Sequence, residues 1–92
     1  MYKVIYSNEF KRNLKAVAKL GYNMDLLAEA VDLLRVDGNL PRKYKKHKLT
    51  GKYKGYNECH LQPDWLLVWR ELKDMLILEF TNTGSHADIF GM

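Results

Sequence analysis

The sequence predicts an α+β fold in the order β-α-α-β-β-β, with a helical hairpin packed on one face of a mainly antiparallel sheet. Three observations predict it. Apolar residues recur at helical spacing through the first part of the chain. The second part carries three runs rich in β-branched, aromatic and leucine residues. The breaks between those runs are short enough for antiparallel hairpins. Ninety-two residues build one core, so a single domain over 1–92 is expected.

Tyr2 to Tyr6 reads as a short strand, with Val4 and Ile5 supplying β-branched residues. Ser7 or Asn8 can cap the helix that follows. In that helix Phe10, Leu14 and Val17 fall at i, i+4 and i+7, a core-facing stripe, and Gly21 ends it. Asn23 can cap a second helix whose buried stripe is Leu27, Ala30, Val31 and Leu34. Asp37-Gly38 ends that helix, and Pro41 keeps it from resuming. The brief link between the two suggests an αα-hairpin.

Residues 39–55 read as a long basic loop, a length that in so small a domain marks function. Tyr56 to Leu61, Trp65 to Leu72 and Met75 to Thr81 read as strands joined at Pro63-Asp64 and Lys73-Asp74. With Lys73-Asp74 as a two-residue turn, Trp69 lies opposite Leu78 and Leu67 opposite Phe80 on the helix-covered face. Arg70 then lies on the other face, diagonal to Glu79. The one cysteine, Cys59, excludes an intramolecular disulfide, fits a reducing compartment, and is expected as a small buried hydrophobe.

The chain is 47% hydrophobic and 28% charged, a globular composition, with a formal net charge of +4. The charge is concentrated: Arg42, Lys43, Lys45, Lys46, Lys48, Lys52 and Lys54 crowd one segment, and no acid lies between Asp37 and Glu58. Lys11, Arg12, Lys15 and Lys19 form a second group on the first helix. Such patches attract phosphates, and Tyr44, Tyr53 and Tyr56 interleave with the cations where they can stack on bases. The amino-terminal apolar run is too short for a signal peptide, and no stretch approaches a membrane span, so a soluble, cytoplasmic protein is expected.

Three histidines, His47, His60 and His86, sit in polar, turn-rich surroundings near this basic surface. Imidazole changes charge near neutral pH, so histidines beside a phosphate-binding surface suggest acid/base chemistry on a polyanion. A zinc site from His47, His60, Asp64 and His86 is conceivable by residue type, but no short paired-ligand spacing supports it. A serine hydrolase built on Ser85 lacks a nucleophile-elbow pattern.

His47-Lys48-Leu49-Thr50-Gly51, Lys54-Gly55-Tyr56, His60, Pro63-Asp64-Trp65 and Thr83-Gly84-Ser85-His86-Ala87-Asp88-Ile89-Phe90 stand in one order and spacing through the chain. In that arrangement the chain resembles the YafQ branch of the RelE/ParE toxin superfamily. The resemblance implies a RelE-like fold. It also implies a bacterial type II toxin that enters the ribosomal A site and cuts mRNA there without metal or cofactor. The implied partners are the 70S ribosome and mRNA, and a DinJ-like antitoxin that forms a heterotetramer with the toxin. Operator DNA would be reached only through the antitoxin, and no membrane is involved.

The family motif matches His47, His60, Asp64, Trp65, His86 and Phe90. RNA is cut without metal when its 2′-hydroxyl attacks the neighbouring phosphate, which needs a base, an acid and cations for the transition state. His86 is expected as the general acid and His47 or His60 as the base. Asp64 would orient an imidazole, and Trp65 and Phe90 would shape a base pocket or stack in it. Lys45, Lys46, Lys52 and Lys54 are expected to contact the RNA backbone. One departure stands out: many relatives carry arginine where this chain has Asn82, and Arg70, Lys52 or Lys54 can substitute. Competing readings are a non-catalytic RNA- or ribosome-binding inhibitor of the same fold and, less favoured, a ParE-like gyrase inhibitor.

Overall fold

The computed structural model describes residues 1–91. Strand β1 (Lys3–Tyr6) is followed by α1 (Asn8–Lys19) and α2 (Met24–Asp37); β2 (His47–Lys48), β3 (Asn57–Gln62), β4 (Trp65–Leu72) and β5 (Ile77–Gly84) follow, and α3 (His86–Phe90) closes the chain. The strands form one sheet in the order β1-β5-β4-β3-β2, antiparallel except where β1 runs parallel to β5. Among the described residues no helix is long and apolar enough to cross a membrane.

The expected stripes form the core. Phe10 and Val17 from α1, and Leu27, Ala30, Val31 and Leu34 from α2, pack on Cys59, Leu61, Trp65, Leu67, Trp69, Leu78 and Phe80 of the sheet. The α1 helix lies against β5 and α2 against β3, so each helix packs chiefly on the sheet. Ser7 caps α1 by accepting the Phe10 N–H (3.0 Å), and Asn23 caps α2 by accepting that of Asp25 (3.0 Å). Gly38 ends α2 at φ 79°, where Tyr2 and Glu71 side chains crowd the space a Cβ would occupy.

The β4–β5 register differs from the expectation. The connection is a single turn over Lys73–Met75 with Leu76 at φ 52°, longer than two residues. Trp69 therefore pairs with Phe80 rather than Leu78, and Arg70 lies directly opposite Glu79 rather than diagonal to it. A displacement of two residues keeps each side chain on its face, so the core is unchanged. A bulge between Val68 and Trp69 adds one more step, and Leu67 pairs with Thr83 instead of Phe80.

The segment expected as a loop is also more ordered. Residues 39–55 contain a 3-10 turn at Arg42–Tyr44, strand β2 and a second 3-10 turn at Gly51–Tyr53. Tyr44 drives the first turn: its ring is buried and its hydroxyl donates to Glu29 of α2 (2.9 Å). Burial and the Glu29 contact push that phenol up to about 12. Finally, β5 runs on to Gly84 rather than stopping at Thr81, and α3 had no counterpart in the expected order. The Ser85-x-x-Asp88 capping box that starts α3 was present in the sequence as a signal.

Candidate functional site

The face of the sheet turned away from α1 and α2 carries the histidines. Strand alternation puts Glu58 and His60 together on that face, opposite Cys59, which points into the helix-covered core. His47 on β2 pairs directly with Glu58, so it shares the face. His86 arrives as the first residue of α3. The rings of His47 and His60 lie 6.4 Å apart and those of His60 and His86 5.7 Å apart, with His60 in the middle.

His86 is aimed by three local devices. Ser85 and Asp88 exchange side-chain to backbone bonds, both 3.0 Å, which fixes the start of α3. Gly84 takes φ 151° and passes so close to Asp88 that a Cβ there would stand 3.0 Å from its side chain, so the approach needs glycine. Asp64, from the Pro63-Asp64 hairpin turn, accepts the His86 backbone N–H (2.9 Å) and meets its Nδ1 (2.6 Å) through the same Oδ1. The backbone bond first, and then the imidazole, hold the Asp64 carboxyl below its usual range. Asp64 is therefore an acceptor, His86 Nδ1 carries the proton, and Nε2 is left for chemistry.

His47 is bound at both nitrogens. Its Nδ1 lies 3.1 Å from the Lys45 carbonyl and its Nε2 3.0 Å from Glu58 Oε2. A carbonyl only accepts, so Nδ1 donates to it, and Nε2 faces the Glu58 carboxylate. Lys45 presents that carbonyl from a left-handed conformation at φ 52°, a strained geometry for a side-chain-bearing residue. Glu58 is the residue that sequence reasoning missed. It is buried, and its Oε1 has no hydrogen-bond partner. The Glu-x-His spacing within a strand was its only signal.

Glu58, His60 and His86 offer ligand atoms that all lie within 4.8 Å of one another. Two imidazoles and a carboxylate suit zinc or copper. This set replaces the His47 and Asp64 contributions considered from sequence.

The remaining expected residues divide. Trp65 is 1% exposed, stacks edge-on to Tyr22 (5.0 Å) and donates its indole N–H to Thr83 Oγ1 (2.9 Å). It is a core residue supporting the Thr83-Gly84 approach to His86, and burial leaves no ring face for a base. Tyr44 is withdrawn from stacking in the same way. Lys46 is also committed: its Nζ donates to the Gly38 carbonyl (2.7 Å) and lies 3.9 Å from Glu71.

Lys45, Lys52 and Lys54 are exposed. Lys52 lies over the ring of Tyr53 (5.2 Å), which meets Phe90 edge-on (5.1 Å) and donates its hydroxyl to the Ile89 carbonyl (3.3 Å). Phe90 thus ties the basic segment to the helix that carries His86. Asn82 accepts from Asn13 Nδ2 (2.7 Å) and from the Thr83 N–H (2.8 Å), a structural role beside the bulge. A groove of about 880 Å³ is lined by Lys48, Lys54, Leu49 and Tyr56 together with Glu71 and Asp74, and the histidines stand outside it. The groove holds no counterpart of the paired His86 and Asp64, so the histidine face is the candidate site.

Comparison with known proteins fits this geometry. A family model described as "Bacterial toxin of type II toxin-antitoxin system, YafQ" matches residues 2–91. An Escherichia coli (strain K12) protein described as "mRNA interferase toxin YafQ" is 39% identical over 88 residues, which are 94% of this chain and 92% of that one. The toxin in the crystal structure of the E. coli DinJ-YafQ complex superposes with a TM-score of 0.89 at 34% identity, over 99% of this chain and 100% of that one. A metal-bound toxin from Helicobacter pylori superposes with a TM-score of 0.91 at 38% identity, over 98% and 100% of the two chains.

Proposed function

The chain belongs to the YafQ family of bacterial type II toxins, and we propose that it cuts mRNA by acid/base chemistry on the histidine face. The observation that carries the reading is the line Asp64–His86–His60, with one ring held in a defined tautomer and the next ring 5.7 Å away. Two imidazoles at that separation can straddle a phosphate. His60 forms no hydrogen bond to its ring among the described residues, so it is the one positioned to take the 2′-hydroxyl proton. The hydroxyl oxygen then attacks phosphorus and the P–O5′ bond breaks. His86 Nε2 gives its proton to the leaving 5′-oxygen, which leaves a 2′,3′-cyclic phosphate and a 5′-hydroxyl. Each such group contributes about 10²–10⁴ in rate.

His47, with both nitrogens engaged, acts as a positioning residue beside His60, and buried Glu58 holds it in place. Asp64 supplies the counter-charge when His86 is protonated. No step requires a metal, and an ion at Glu58, His60 and His86 would block the acid/base pair. The relative in the E. coli complex supports a DinJ-like antitoxin as partner, a heterotetramer with it belongs to the same proposal, and the exposed lysines suit the 70S ribosome and mRNA in the cytoplasm.

Primer extension on mRNA from cells briefly expressing the chain tests the reading. In-frame cuts within translated regions are expected, and none from His86→Ala. Cuts of equal strength from that variant would refute it. Growth arrest with intact mRNA in both would support the non-catalytic binding alternative.

A further inference from the structure

One cation on the histidine face is neither buried nor fully spent. Arg70 follows Leu66 and Val68 at every second position of β4, so it shares their face, and those two residues pair with His60 and Glu58. Two residues of strand separate Arg70 from the Glu58 row, about 7 Å. Its side chain is 43% exposed. Nε lies 2.5 Å from Glu79 Oε1 across the strand pair, and the guanidinium lies over the ring of Tyr56 (6.0 Å). One edge of the fork is thereby held, and among the described residues the terminal nitrogens make no hydrogen bond. Other cations are spent, Lys46 on Gly38 and Glu71 and Lys43 on Glu29. Tyr56 also lines the groove that holds Lys48 and Lys54. That groove is also lined by the carboxylates of Glu71 and Asp74, so Arg70 is the cation that stands on the histidine face itself.

We propose that Arg70, aimed by Glu79 and Tyr56, is a phosphate clamp for the nucleotide flanking the cleaved bond. The inference rests on the RNA-cleaving reading. A planar fork with two free N–H groups binds a phosphate in bidentate fashion, which a lysine cannot do. The Glu79 carboxylate keeps the fork oriented and lowers its net charge until a phosphate arrives.

The test is fluorescence anisotropy of a single-stranded RNA oligonucleotide with the purified chain, over a salt series, for wild type, Arg70→Ala, Arg70→Lys, Glu79→Gln and His86→Ala. Arg70→Ala should weaken binding about tenfold, and the dependence of log affinity on log salt should become shallower by about 0.7, the value for one single-strand phosphate. Arg70→Lys should recover part of the affinity but not all, and Glu79→Gln should bind at least as tightly as wild type. His86→Ala should bind RNA and fail to cut it. Absence of RNA binding by the wild-type chain overturns the clamp. So does Arg70→Ala binding within twofold of wild type, or Glu79→Gln weakening binding as much as Arg70→Ala does, since then the pair is only structural. Cleavage by His86→Ala would instead overturn the catalytic reading and leave the clamp to be scored by the binding data.

Discussion

Replacing Trp65 with Phe separates a core role from an RNA-stacking role. The indole is 1% exposed and its N–H satisfies Thr83 Oγ1, which itself donates to the Leu66 carbonyl (2.8 Å). Phenylalanine removes the donor and leaves a buried acceptor without it, at a cost of about 1 kcal/mol. It also removes roughly 40 Å³ of side chain, and at about 24 cal/mol per Å³ of cavity that adds roughly 1 kcal/mol. A loss of about 2 kcal/mol should lower Tm by about 8–16 °C in a chain of this size. Thermal unfolding by circular dichroism gives that number, and anisotropy with RNA well below the lower Tm gives affinity. RNA affinity should stay within about threefold of wild type. A variant with unchanged Tm and lost RNA binding would refute the burial argument and return Trp65 to the substrate.

Further outcomes attach to Asp64, Glu58 and Cys59. Asp64→Asn should keep the fold but cost about 10²-fold or more in cleavage, because the amide no longer requires the Nδ1–H tautomer of His86; a rate within threefold of wild type would exclude Asp64 from the mechanism. Because the folded Asp64 carboxyl titrates below its unfolded value of about 3.9, its stabilising contribution is fully present above that value. It is lost as pH falls through the folded value, so the Tm difference between wild type and Asp64→Asn should shrink as pH falls below about 4. Glu58→Gln should slow cleavage at least tenfold and weaken zinc or copper binding measured by calorimetry, since it removes both the carboxylate facing His47 and a ligand charge; full activity would show that His47 needs no carboxylate. Burial pushes the Cys59 thiol up to about 12, so a thiol reagent at pH 8 should label only the unfolded chain, and stoichiometric labelling of the folded protein would contradict the placement of Cys59 in the core.

Periodicity was sufficient where one face of an element is buried. The stripes Phe10-Leu14-Val17 and Leu27-Ala30-Val31-Leu34 follow from apolar spacing, and that spacing decides which face turns inward. The β4–β5 register was not legible, because it depends on a turn whose Leu76 takes a positive φ without glycine or asparagine to announce it. Strand β2 was hidden for a different reason: two residues carry no pattern, and pairing with Glu58 and Asn57 alone makes them a strand. Within the site, His47, His60, Asp64 and His86 were readable as reactive types. Glu58 was not, since a carboxylate in a strand reads as solvent-facing until the neighbouring strands close over it.

Three histidines far apart in the chain meet because three backbone devices aim them. The β2–β3 pair sets His47 against Glu58. Strand alternation places His60 beside that row. The hairpin turn gives Asp64 to a helix start that a capping box and Gly84 have already fixed. None of these devices touches substrate, and each decides where a ring stands to within the fraction of an ångström that proton transfer requires. The same logic explains Asn82. Its side chain closes the bulge against Asn13 and the Thr83 N–H, so a charge at that position would have to leave the contact that holds β5 on α1. A cation for the phosphate can then come from the neighbouring strand, where the half-exposed guanidinium of Arg70 stands on this face.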